Sequence, residues 1–369
     1  MGERVIVAMS GGVDSSVAAL LLHEAGYDVV GVTMKLYSLD HQDLPEYYQG
    51  CCTVDDVEDA RRVCQKLGVP HYVMNVQEEF ETFVIDYFCS EYQKGRTPHP
   101  CIACNDKIKF NFLSERAIAL DANYIATGHY ARIEEDSSSL CLKKGIDQNK
   151  DQSYVLYGMG QHELQHTLMP LGAYSKSEIR DMASRAQFPN AEKPDSQDIC
   201  FIPFGDYKAF LEERVVSTPG DIVDQSGKVL GKHKGIEFFT VGQRRGLGLP
   251  GMDEVLYVLN INPDKNEVLV GPKSGLYKTE FWVSRVNYIS GKTPPGSLNV
   301  QVKIRYQFQQ AEAELVNYEN GVLIRFQEPQ RSITPGQAAV FYQDDLVLGG
   351  GIIESNIPEE VVVGLNANS

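Results

Sequence analysis

Residues Ser10-Gly11-Gly12-Val13-Asp14-Ser15-Ser16 join a buried strand to a helix, and this junction constrains the fold more than any other stretch. Val5-Ile6-Val7-Ala8-Met9 is short, apolar and rich in β-branched residues, as in a strand covered on both faces. Val17 through Ala25 are good helix formers with apolar side chains at Val17, Leu20 and Leu21, and Gly26 stands where a helix ends. Strand, glycine-rich turn and helix together make an anion site. Paired glycines let backbone N–H groups approach a phosphate, and the helix N-terminus adds its positive end. The loop has neither the Gly-Lys-Ser/Thr of a Walker A sequence nor the Gly-x-Gly-x-x-Gly of dinucleotide binders. From these residues alone, a plain turn with no ligand is the alternative.

The chain after this junction reads as alternating strands and helices. Strands are expected at 29–37, 70–76 and 124–130, with helices at 54–67 and 80–92 and an exposed loop at 38–50. That alternation predicts a parallel, doubly wound α/β sheet, whose ligands bind at the carboxyl ends of the strands, near Met34 and Gly128. Residues 94–110 contain Pro98 and Pro100 and read as an extended loop, with a helix from Asn111. A second polar loop covers 191–201. From about residue 204 a short helix at 206–213 leads into glycine-rich sequence with β-prone runs at 236–240 and 255–259. Beyond it Val300, Val302, Ile304 and Tyr306 alternate with Gln301, Lys303 and Arg305, giving one basic face, and Asn320-Gly321 marks a hairpin. The expected division is an α/β domain at 1–203, a small β-rich linker domain at 204–278 and a C-terminal β-barrel of six-stranded type at 279–369.

Charge and cysteine usage narrow the chemistry. The 369 residues carry 34 Lys and Arg against 50 Asp and Glu, a net charge of −16, which argues against indiscriminate nucleic-acid binding. Lys228, Lys232, Lys234, Arg244 and Arg245 nevertheless form a basic island opposed only by Glu237; a solvated loop is the plain alternative. No run of about 18 apolar residues exists to span a membrane, and the first strand begins within five residues, so a cytoplasmic protein without a signal peptide is expected. Eight cysteines are too sparse for a disulfide scaffold. Cys64, Cys89 and Cys141 read as packing residues, and nothing assigns Cys51 or Cys52. Cys101 and Cys104 lie near Lys107 and Lys109, and Cys200 follows Lys193, partly offset by Asp195 and Asp198. Nearby cations favour the reactive thiolate. Thiols beside a phosphate-binding loop fit one reaction class if that loop takes ATP, as the resemblance given next implies: ATP adenylates a carbonyl oxygen and sulfur displaces AMP. An amidating synthetase and a non-catalytic RNA-binding protein are the competing readings.

Ser-Gly-Gly-x-Asp-Ser resembles the loop of the ATP pyrophosphatases. The resemblance implies that Ala8, Met9, Ser10, Gly11, Gly12, Val13, Asp14 and Ser15 line ATP, with Asp14 holding Mg²⁺ or orienting the loop, and with Met34 and Gly128 at the nucleotide. Several further segments follow in order. They are Arg96-Thr97-Pro98, Cys104-Asn105, Thr127-Gly128-His129-Tyr130, Lys150-Asp151-Gln152-Ser153-Tyr154 and Asp195-Ser196-Gln197-Asp198-Ile199-Cys200-Phe201, then Thr240-Val241-Gly242-Gln243-Arg244-Arg245 and Pro335-Gly336-Gln337. Together they resemble the tRNA-specific 2-thiouridylases over essentially the whole chain. That resemblance implies thiolation of the wobble uridine in tRNAs for lysine, glutamate and glutamine, with release of AMP and pyrophosphate. Cys104 would be the nucleophile, Cys200 the persulfide carrier, and a Cys104–Cys200 disulfide the product that reductant must open. His99, Pro100 and Cys101 would touch the target base, flipped out of its stack. His129, Lys150, Asp151, Gln152, Arg305, Tyr306 and Gln337 would touch tRNA. The sulfur donor would be a cysteine desulfurase or a sulfur-relay protein. Cys101 departs from the family, in which many relatives carry an acidic residue there. The resulting Cys-x-x-Cys leaves open a [4Fe–4S] cluster on Cys101, Cys104 and Cys200, and more weakly a zinc site.

Overall fold

The computed structural model describes residues 2–37, 54–136, 139–195, 199–202, 205–250 and 254–362. The expected loop at 38–50, Cys51, Cys52, Ser196, Gln197, Asp198 and the 203/204 boundary lie outside the described residues. In chain order, β1 (Arg4–Ala8), α1 (Val13–Glu24), β2 (Asp28–Lys35), α2 (Val54–Leu67) and β3 (His71–Asn75) build the first half of the α/β unit. One continuous helical stretch follows, α3 (Gln77–Phe80), a π-helical turn (Glu81–Ile85) and α4 (Asp86–Gln93). A second comprises α5 (Pro100–Ala103), a π-helical segment (Cys104–Phe112) and α6 (Leu113–Ala119). Then come β4 (Tyr124–Ala126), β5 (Ala131–Asp136), β6 (Ser139–Lys144), α7 (Gln161–Gln165), β7 (Thr167–Leu168) and α8 (Lys176–Arg185).

The sheet order is β3-β2-β1-β4-β7, every pair parallel, with Val5 opposite both Val29 and Tyr124. Val5 and Val7 pack with α1, α2 and α8 through Val17, Ala60, Val63 and Ile179, while Ile6 belongs to the core with Phe80, Phe88 and Ile108. Helices therefore cover both faces, as the continuous apolar run of β1 requires. Winding reverses between β1 and β4, so the crevice of this fold opens beyond their carboxyl ends, where residues 9–12 and 127–130 lie.

Helix α9 (Tyr207–Glu212), capped by Asp206, leads into a four-stranded sheet of β8 (Gly220–Val223), β9 (Val229–His233), β10 (Tyr257–Asn262) and β11 (Glu267–Gly271), ordered β10-β11-β8-β9. The last unit contains β12 (Tyr277–Tyr288), β13 (Ser297–Lys303), β14 (Ala311–Tyr318), β15 (Gly321–Arg331), β16 (Ala338–Gln343) and β17 (Leu346–Ile353). Pairing of β12 with β17 closes these six strands into a barrel. The Asn320-Gly321 hairpin forms as expected, with Tyr318 opposite Gly321.

Four expectations change. Residues 100–112 are helical, because Pro100 occupies the first helical position, where a missing N–H costs nothing. The fourth strand stops at Ala126, limited by a two-residue partner in β7. Ile236–Phe238 is a 3₁₀ turn whose three side chains are all buried, a pattern alternation cannot give. β13 ends at Lys303, leaving Arg305 and Tyr306 in the following turn. In addition β12 starts at Tyr277, so a boundary after 278 cuts a strand, and the β5–β6 hairpin joins the barrel sheet through Leu346 opposite Lys143.

Candidate active site

The loop after β1 turns sharply at Gly11, whose φ of 72° favours glycine, and Gly12 is the N-cap of α1. No described side chain caps this helix, so its first N–H groups point toward the crevice without a side-chain acceptor. Inside the loop, Ser15 Oγ accepts from Ser10 N at 3.1 Å and donates to Gly12 O at 3.2 Å, and Ser16 Oγ donates to the same carbonyl at 2.9 Å. Gly128 lies directly on this turn; a Cβ there would sit 2.8 Å from Ser15 N. Met34 is buried near the end of β2. The expected nucleotide residues thus come together at the switch point of the sheet.

Asp14 is committed within the protein. Its carboxylate accepts from Tyr130 Oη at 2.7 Å and from Lys176 Nζ at 2.7 and 2.9 Å. That geometry suits orientation of the loop better than capture of a cation. Lys176 also pairs with Asp195 at 2.8 Å, as do Lys150 at 2.7 Å and Arg180 at 2.9 Å. Burial alone would raise the Asp195 carboxyl, but Lys150 and Lys176 outweigh it and hold the group at about 2. Asn190 Nδ2 donates to Gly11 O and to Ser16 Oγ, both at 2.9 Å, and Lys193 bridges Asp56 and Asp59 at 2.7 and 2.8 Å. Residues 190–195 therefore brace the phosphate loop five residues before Cys200. Cys200 is half-buried, and its neighbour Phe201 is locked edge-on against Phe80 and Phe88 at 5.7 and 5.4 Å.

A second polar trail runs to the other thiols. Tyr130 N donates to Gln152 Oε1 at 3.0 Å, and the Gln152 side chain acts on the Tyr306 phenol. Burial and the Asp151 carboxylate push that phenol up to about 12, so Tyr306 is neutral. Its ring lies 6.1 Å from His99 and 6.0 Å from Tyr154. Burial drives the His99 imidazole down to about 4, and its Nδ1 is buried without a hydrogen-bond partner. Cys101 is exposed on the first turn of α5, while Cys104, one turn later, is buried. Asn105 Nδ2 fixes this helix to Val155 O at 3.0 Å.

Several residues expected to contact tRNA are engaged within the protein. His129 is buried against Thr127 Oγ1 at 2.8 Å, and burial holds its imidazole well below the ordinary range. Asp151 accepts from Gly145 N, Ser153 N and Ser153 Oγ at 2.9–3.1 Å. Arg305 donates to the Arg331 and Ser332 carbonyls. Gln337 Nε2 donates to Thr97 O at 2.7 Å. That bond belongs to a junction of three segments far apart in sequence: Thr97 N donates to Pro335 O at 2.8 Å, and Thr97 Oγ1 meets Thr240 Oγ1 at 3.3 Å. A Cβ on Gly336 would come within 2.8 Å of Thr97 N, so glycine permits the approach. Arg96 sits in the same place, buried between Glu91 at 2.7 Å and Glu354. The barrel thus holds the segment that leads into the Cys101–Cys104 helix.

Among the described residues no group of three or more His, Cys, Asp and Glu side chains is gathered closely enough to hold a metal ion. No described helix is long and apolar enough to cross a membrane. A cleft of about 530 Å³ between the four-stranded sheet and the barrel, lined by Leu259, Phe281, Trp282 and Glu354, lies apart from these groups. Sequence reasoning did not single out Lys176, Asn190, Tyr154 or Arg96 as site residues. Arg96 and Tyr154 stand in segments that carry the resemblance, without a role assigned to them, and Lys176 left a signal as the first residue after the Ser175 cap of a Ser-x-x-Glu box.

Three family models match in succession: the tRNA methyl transferase HUP domain over residues 3–204, the tRNA methyl transferase PRC-barrel domain over 208–272 and the aminomethyltransferase beta-barrel domain over 278–353. Whole-length relatives carry a different activity in their names. Proteins named tRNA-specific 2-thiouridylase MnmA from Clostridium perfringens, Desulforamulus reducens and Heliobacterium modesticaldum are 48%, 47% and 49% identical. These alignments cover 96%, 97% and 97% of this chain and 99%, 99% and 94% of the relatives. Identity of that level over all three units, including the phosphate loop and both thiol segments, settles the grouping. This chain belongs to the tRNA-specific 2-thiouridylase family.

Proposed function

We propose that the protein converts the wobble uridine of tRNAs for lysine, glutamate and glutamine to 2-thiouridine, with ATP as co-substrate. The observation that carries this reading is the pair of polar trails from one phosphate loop. One runs from Asp14 through Tyr130 to Gln152, beside the His99–Tyr154–Tyr306 ring cluster at the start of the Cys101–Cys104 helix, and the other through Asn190 and Asp195 toward Cys200. The N-terminus of α1 and the N–H groups of residues 11–15 hold the ATP phosphates, with Met34 and Gly128 at the nucleoside. Mg²⁺ bound to those phosphates would neutralise charge on the departing pyrophosphate. The O2 of the flipped base attacks the α-phosphorus, pyrophosphate leaves, and the N3 proton is released. The terminal sulfur of a Cys200 persulfide then adds at C2 and AMP departs. Cys104 thiolate cleaves the S–S bond, leaving sulfur on the base and a Cys104–Cys200 disulfide for external reductant.

His99, neutral above about pH 5 because burial lowers it, offers the base a hydrogen-bond partner at Nδ1. A cysteine desulfurase or relay protein supplies the sulfur. The exposed Arg244 and Arg245 support docking of the tRNA backbone from the β-rich linker unit. The domain division at 1–203, 204–278 and 279–369 stays a proposal, with its second boundary falling two residues into β12. The test is thiolation of unmodified glutamate tRNA by anaerobically purified protein with ATP, Mg²⁺ and a persulfide source, with iron quantified on the same sample. Thiolated tRNA with stoichiometric AMP and pyrophosphate from iron-free protein is expected. Activity that tracks iron content would replace the persulfide step, and pyrophosphate release without thiolation would favour an amidating synthetase.

A further inference from the structure

On the outward face of β13, Gln301, Lys303 and the nearby Arg305 form the basic row expected from the sequence, and the structure separates their roles. Gln301 is taken by Glu312 at 3.0 Å and by Asp344 N at 3.1 Å, and Arg305 by two carbonyls. Lys303 has no hydrogen-bond acceptor among the described residues. Its ammonium lies 5.8 Å from the Tyr154 ring and 5.7 Å from the Tyr306 ring, held by two phenol faces and half-buried. The carboxylate that influences it, Asp151, already accepts three hydrogen bonds. Lys144, a second cation that acts on it, is held by Gln310 Oε1 at 2.7 Å and Asp344 O at 2.6 Å. Burial lowers the Lys303 ammonium, as expected of a charge withdrawn from water without a counter-ion.

An unpaired ammonium in such a place is costly unless a ligand supplies the anion. The same two tyrosine rings pack against His99, the N-cap of the helix that carries Cys101, so the charge sits at the mouth of the base site. We propose that Lys303 binds a phosphodiester oxygen of the nucleotide flanking the target uridine, positioning the flipped base over the Cys101–Cys104 helix. The inference rests on the tRNA-thiolation reading above. A phosphate fits better than a base carbonyl because a fixed, unneutralised cation gains most from a full charge.

The test is the affinity of wild-type protein, K303Q and K303R for unmodified glutamate tRNA between about 50 and 300 mM salt. In K303Q the slope of log K against log salt should fall by about 1, with weaker binding at low salt. K303R should keep the wild-type slope, and both variants should melt at or above the wild-type temperature. A lysine needed only for packing would leave the slope unchanged in K303Q. That outcome, with wild-type protein that thiolates tRNA, overturns the phosphate contact and leaves the function standing. Wild-type protein that binds tRNA without thiolating it overturns both.

Discussion

The two ends of the candidate site are built on opposite principles. At the phosphate end every described charged side chain around the loop is paired: Asp14 with Lys176, Asp195 with Lys150, Lys176 and Arg180, and Lys193 with Asp56 and Asp59. What is left for a ligand there is backbone, the N-terminus of α1. At the base end the side chains are left incomplete, with His99 Nδ1 lacking a partner and Lys303 lacking an acceptor among the described residues. A rigid, self-satisfied cradle suits a ligand recognised by geometry and common to many proteins. Unpaired groups in an aromatic frame suit a ligand that must bring its own complementary atoms, and they give specificity because a wrong ligand leaves them buried and unpaired.

The comparison can be broken at several points. Replacing the proposed nucleophile has the largest expected effect: Cys104→Ser should lower thiolation on the order of a thousandfold while tRNA affinity stays within error. Retained turnover would remove Cys104 from the chemistry. Next, Arg96→Met leaves the buried Glu91 with only the exposed Lys94 and the half-buried Glu354 with Ser284, and should cost about 2–3 kcal/mol in denaturant unfolding. A loss within the scatter of surface mutants would show that the barrel does not hold this segment.

Lys176→Gln frees Asp14 and loosens the phosphate loop, so pyrophosphate release should slow roughly tenfold to a hundredfold with tRNA binding intact. A defect seen only in tRNA affinity would contradict the division between the two ends. The smallest effect concerns Asp106, whose carboxyl burial pushes up to about 7. Because the folded value exceeds the unfolded one, this group's contribution to stability is full below about pH 4 and is lost as pH rises through 7. Asp106→Asn should therefore raise the melting temperature by a few degrees at pH 8 and leave it unchanged near pH 4. A pH-independent shift would contradict the burial of that carboxylate.

The phosphate end was legible in the sequence because its signal is local. A β-branched run, two glycines and a helix start lie within about 25 consecutive residues, and hydrophobic periodicity carries the rest of the parallel sheet. The base end is built from contacts between residues 99, 154, 303 and 306, and no periodicity relates side chains that far apart. Gln337 shows the limit well. Its motif marked it for attention, but only the fold reveals that it grips Thr97 rather than facing outward. The helix carrying Cys104 was hidden by its own prolines, which break a helix inside but start one at its first position. The β5–β6 hairpin was missed because its attachment to the barrel depends on one pairing 203 residues away, Leu346 with Lys143.

Cys104 and Cys200 are proposed to act as a redox pair on one substrate. That pairing is tested most directly by single turnover of persulfide-loaded protein with ATP and unmodified tRNA, followed by non-reducing peptide mapping. The account predicts one Cys104–Cys200 disulfide for each 2-thiouridine formed, both abolished when ATP is omitted. Thiolated tRNA appearing while both cysteines remain unlinked would contradict it.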